Sequence, residues 1–232
     1  MDRRALFCAL LAVPLAGCSL HGSRATATTT TTAPPTTTAP APTTTVTVFR
    51  VVDGTLHADS VSVPQTGAPA SAALRVLGLA APVTISGGTA TVDLPLATRD
   101  EQAEIVYTLT VFPTVQRVDL AGRTGLTRAD FASYEPVIFV ESPAAGEQVP
   151  PTFHVTGSAS VYEATLVVEL VAGGEVVQRN TVTASEGAPA RGTFDTVLTA
   201  KMPGPAKVVG FAPSAEDGSP QHLVAVPVTV SG

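Results

Sequence analysis

Few residues in this chain could do chemistry, and their spacing limits what kind. Among 232 residues there are two cysteines, Cys8 and Cys18, and four histidines, His21, His57, His154 and His222. No two histidines share a strand or helix at metal-ligand spacing, so no metal site is expected. His57, His154 and His222 read as solvated strand positions. The serines form neither a G-x-S-x-G elbow nor an S-x-x-K motif. Glu163 stands beside Tyr162 as a lone carboxylate and not as half of an acid–base pair. Asp217-Gly218 is a turn pair, no D-x-D-x-D-G calcium loop occurs, and Gly87-Gly88 opens no helix that could seat a phosphate. The expectation is no catalytic residue, no cofactor and no metal. A formal net charge of −6 also gives no attraction for nucleic acid.

Cys18 is the exception. The run from Ala5 to Leu15 is apolar apart from Pro14, follows Asp2, Arg3 and Arg4, and ends in small residues. This is the pattern of a secretory leader, and it is far shorter than the ~20 residues of a membrane-spanning helix. Leu15-Ala16-Gly17-Cys18 resembles the lipobox of bacterial lipoproteins. The resemblance implies that residues 1–17 are a signal peptide. It also implies that Cys18 carries acyl chains such as palmitate and becomes the N-terminus, lipid-anchored on the extracytoplasmic face of the cell membrane. Cys8 would then leave with the leader, and no thiol would remain for a disulfide.

Behind Cys18 comes a stretch with no hydrophobic period. Residues 18–45 are mostly Thr, Pro and Ala, with a threonine run at Thr28–Thr32 and prolines at 34, 35, 40 and 42. Such a segment cannot bury a core and is expected to be disordered. Extended at ~3.1 Å per residue, it would reach roughly 80 Å. Thr beside Pro is also the composition of O-glycosylated stalks.

The remainder divides at about residue 132. From Val46 to Ala132 the pattern reads as an α+β domain. Strands at 46–52 and 55–63 flank the turn signal Asp53-Gly54. Helical spacing covers 71–80, and a strand follows Gly87-Gly88 at 89–94. Thr98 and Glu101 form a capping box before a helix with Ile105, Val106, Leu109 and Phe112 on one face. Pro113 ends it, and 115–120 is a strand that turns at Ala121-Gly122. Gly88-Thr89-Ala90-Thr91-Val92-Asp93-Leu94, Tyr107-Thr108-Leu109-Thr110 and the strand after Pro113 resemble the GerMN domain of sporulation and spore germination. This copy is short between Val63 and Gly87.

From residue 133 to Gly232 helical signals stop. Seven short strands are expected at 137–141, 152–158, 164–171, 175–183, 192–199, 206–212 and 222–230. Phe153, Val155 and Gly157 face one way, and Gly173-Gly174 makes a hairpin. This is an all-β, immunoglobulin-like sandwich, without the Cys and Trp core of antibody domains. Ile138-x-Val140-x-Ser142-Pro143, Val155-Thr156-Gly157-Ser158-Ala159 and Glu163-Ala164-Thr165-Leu166 resemble Gmad2, the immunoglobulin-like domain of bacterial spore germination.

These resemblances imply a non-enzymatic cell-envelope lipoprotein, membrane-attached through its N-terminal lipid, that binds or scaffolds an unidentified envelope protein. The alternative is a module that binds peptidoglycan or another wall polymer. The chain has no Trp and only Tyr107, Tyr134 and Tyr162 as tyrosines, which argues against a strong glycan site.

Overall fold

Alternating Val and Thr between turn residues makes strands of most of the chain. The computed structural model describes residues 42–65 and 67–232, so Cys18, His21 and the tether up to residue 41 lie outside the described residues. The fold is mostly β. Strands β1 (Thr43–Val52) and β2 (Thr55–Pro64) pair antiparallel through a turn in which Asp53 and Gly54 have φ of 51° and 78°. Two successive positive φ values make the turn whose twist matches that of the strands it joins. The pairing of Thr43 with Pro64 extends β1 three residues into the stretch expected to be linker.

Helix α1 (Pro69–Val76) starts on a proline and is followed at once by Leu77 and by Gly78 at φ 82°. It is therefore shorter than the expected 71–80, because a left-handed glycine terminates it. Strand β3 (Val83–Ser86) was not expected. It pairs antiparallel with β4 (Thr89–Val92) across Gly87-Gly88. Helix α2 (Arg99–Leu109) begins with the expected capping box: Thr98 Oγ1 accepts from Glu101 N, and Glu101 accepts from Thr98 N. Its face of Ile105, Val106, Tyr107 and Leu109 is fully buried. Strand β5 (Arg117–Leu120) lies parallel to β4 with α2 as the crossover, and β6 (Arg123–Leu126), also unexpected, closes the order β3-β4-β5-β6.

After a 3-10 segment at Arg128–Tyr134 the chain is strands alone apart from one short turn. These are β7 (Ile138–Ser142), β8 (Glu147–Val149), β9 (Thr152–Ala159), β10 (Thr165–Ala172), β11 (Glu175–Thr183), β12 (Gly192–Thr199), β13 (Gly204–Pro213) and β14 (Pro220–Val230). They make two sheets, β11-β10-β13-β14-β8 and β12-β9-β7. The inward rows from both sheets, including Val155, Leu166, Val168, Leu170, Leu198 and Val208, fill a common core. β8, which pairs parallel with β14, is the one strand of this region that the sequence pattern does not announce.

The described residues form one compact unit, and two side chains cross the boundary between its regions. Phe139 and Ala144 follow the boundary at residue 132 yet are buried in the core of the preceding region. Phe139 meets Phe49 and Tyr107 with ring centroids 5.9 and 6.1 Å away. Gly157 lets β7 approach β9, since a Cβ there would lie 2.0 Å from the Phe139 carbonyl oxygen.

Candidate functional site

The residues singled out for chemistry are dispersed. His57 is exposed on β2, with Thr55 Oγ1 3.3 Å from its Nε2. His154 on β9 contacts Asp195 on β12 at 2.8 Å, with both side chains more than half exposed. Among the described residues no hydroxyl is bonded to the other nitrogen of that imidazole, and the pair is a contact between neighbouring strands. His222 is the third residue of β14, at φ 54°. Among the described residues no group of three or more His, Cys, Asp or Glu could hold a metal. Glu163 sits just before a strand. It lies in a 3-10 turn at φ 52°, ahead of β10. Asp217 accepts from Ser219 N and Oγ, and these bonds lower its carboxyl below the ordinary range.

What the fold does assemble is a polar junction over the aromatic cluster. Tyr107, fully buried, donates to Glu135. Burial first, and then this bond to a carboxylate, raise its phenol far above the ordinary tyrosine range, so it stays a donor. Arg191 Nε lies 2.8 Å from Glu135 Oε2, in charge contact but without hydrogen-bond alignment. Arg191 also donates to Pro136 O and Ser158 Oγ. Arg128 stacks over the Tyr107 ring at 4.9 Å and pairs with Glu141 on β7. Removing one partner of such a partly buried pair strands the other, and the network links the two regions. None of these long-range partners carries a local sequence signal.

Two open grooves mark the described surface, and the first adjoins this junction at Pro136 and Phe139. One, of about 430 Å³, runs between β2, β7 and β14. The other, of about 640 Å³, lies at the loop end of the sandwich beside Tyr162, Glu163 and Glu216. Tyr162 is 72% exposed.

Strand edges are the other potential contact surfaces, since their free N–H and C=O groups can pair with another chain. Most are covered. On β1, Phe49 N donates to Thr108 Oγ1 and Val51 N to Glu104 Oε1, both from α2. On β2, Ser60 N donates to Ala145 O, and Ala145 N to Ala58 O. Gln178 and Asn180 of β11 donate to Val197 O of β12, and Thr199 N donates back to Gln178.

A comparison with curated proteins finds no match. Among solved structures the chain is similar to a crystal structure of an engineered protein, at 18% identity and a TM-score of 0.30, over 49% of this chain and 24% of that one. The chain thus spans about a quarter of that protein's length. The span from residue 137 to residue 219, β7 through β13, matches the family Gmad2, the immunoglobulin-like domain of bacterial spore germination.

Proposed function

We propose that the chain is a non-enzymatic lipoprotein of the cell envelope, anchored through Cys18, whose folded part binds or scaffolds another envelope protein. In this reading residues 46–132 are a GerMN-type α+β module placed before the Gmad2 match. The observation that carries it is the match of residues 137–219 to an immunoglobulin-like germination domain. The lipobox resemblance of Leu15–Cys18 supplies the anchor. No helix among the described residues is long and apolar enough to cross a membrane, and a lipid would provide attachment without one.

The test replaces Cys18 by Ser and follows processing and membrane retention, with crosslinking of the wild type in intact cells. Loss of lipid and release from the membrane are expected, together with a specific crosslinked protein. Unaltered retention of the serine variant would overturn the anchor, and wild-type membranes that yield no crosslinked partner would overturn the binding role. The groove beside the exposed Tyr162 favours a second reading, a wall-polymer site. It is checked by cosedimentation of residues 42–232 with purified peptidoglycan.

A further inference from the structure

We propose that the outer edge of β14 at Leu223–Val226 accepts an extended segment of a partner protein, adding it as a strand to the five-stranded sheet. This inference deepens the protein-binding reading above and rests on it.

The backbone phase of β14 sets out the site. Pro227 O accepts from Gly146 N at 2.8 Å, so this carbonyl points away from β13 and toward β8. Backbone groups alternate in direction along a strand. The C=O of Leu223 and both the N–H and C=O of Ala225 therefore turn the same way as Pro227 O. Val224 and Val226 turn toward Gly210 and Val208 of β13. One donor between two acceptors is what a neighbouring strand needs. A partner residue can donate its N–H to Leu223 O and accept from Ala225 N on its own C=O.

No hydrogen bond to these outward groups occurs among the described residues. β8 covers β14 only from Val228 to Val230, and the segment before it leaves at Ala145 to bridge Asp59 on β2. The open edge thus continues an edge that the chain already pairs with itself. Leu223 is 61% exposed, and the groove of about 430 Å³ lies alongside, walled on its far side by β2 and floored by β7. Val137 and Val224 present apolar surface there, and Asp59 is engaged by Arg50 at 3.6 Å. The occupant that fits is a short extended segment with small or β-branched apolar side chains inward and neutral polar ones outward. The left-handed His222 at one end and Pro227 at the other limit pairing to about one residue pair on each side of Ala225.

The edge of β3 is a weaker candidate. Val83 N donates to Ser71 Oγ, and β3 lines neither groove.

The experiment uses residues 42–232 and a synthetic seven-residue peptide of alternating Thr and Val with lysines at its ends, read by residue-resolved hydrogen exchange. Saturating peptide should slow exchange of the Ala225 amide at least tenfold. A peptide N-methylated at every second residue on the pairing edge should not. Ala225→Pro should weaken binding at least tenfold while the Val224 and Val226 amides stay protected, because Pro227 already sits in the same phase. Unchanged Ala225 exchange at millimolar peptide, or protection at Ile85 instead, would overturn the proposal. So would slow Ala225 exchange without peptide in a chain whose mass doubles with concentration, which would make the occupant a second copy. If the peptide fails but crosslinking in cells still recovers a partner, the edge is wrong and the binding role stands.

Discussion

Replacing Phe139 by Ala tests whether the two regions are one folding unit. By chain position Phe139 belongs to β7 of the sandwich, yet its ring is 2% exposed within the core of the preceding region. Truncating a buried Phe costs about 3–5 kcal/mol in lost transfer energy and residual cavity. The edge contacts to Phe49 and Tyr107 place the loss toward the upper part of that range, since an aromatic pair adds about 0.5–1.5 kcal/mol. Total stability of such a unit is about 5–15 kcal/mol, so one side chain carries a large share. For a chain of this size each kcal/mol moves the melting temperature by about 2–4 °C, which gives a drop of about 6–20 °C. Calorimetry should show a single lowered transition. Hydrogen exchange should speed up both in β1–β2 and in β9–β10. A loss below about 1 kcal/mol, or two separate transitions with the sandwich unaffected, would refute the shared core.

Two further outcomes follow from particular contacts. Gly157→Ala would place a Cβ 2.0 Å from Phe139 O and 2.8 Å from Phe194 Cζ. It should lower the urea midpoint by an amount worth about 3 kcal/mol, and an unchanged midpoint would disprove the β7–β9 register. Glu104 is raised above its ordinary value of 4.5 by burial, an effect partly offset by the N–H of Val51. Because the folded-state value is the higher one, the folded chain binds more protons in this window. Glu104's contribution to stability therefore falls as pH rises from about 4.5 through the raised value. Gln keeps an acceptor for Val51 N and cannot ionise. Glu104→Gln should gain stability relative to wild type between pH 4 and pH 7, and a difference flat with pH would rule this out.

The strands of the sandwich were legible because burial on one face leaves a period of two. Phe153 and Val155 are buried between exposed Thr152 and His154. The capping box of α2 was legible for a similar reason, since both partners lie within one turn. Strands β3, β6 and β8 were missed because each is three or four residues long with at most one buried side chain, too little for alternation to register. The run Ile138-Phe139-Val140 announced a strand, but being buried on both faces it gave no sign that Phe139 serves the other core. The candidate edge on β14 was invisible for a deeper reason. Whether an edge is open depends on what covers it, and the covering groups come from far along the chain, as Glu104 does for Val51 or Ala145 for Ser60.

The family match stops at residue 219, and β14 begins with the next residue. That last strand brings Val226, Val228 and Val230 into the common core and pairs along most of β13. A fragment excised to the matched span would lose a wall of its interior and expose the backbone edge of β13 that β14 covers. Such a piece should clump instead of folding.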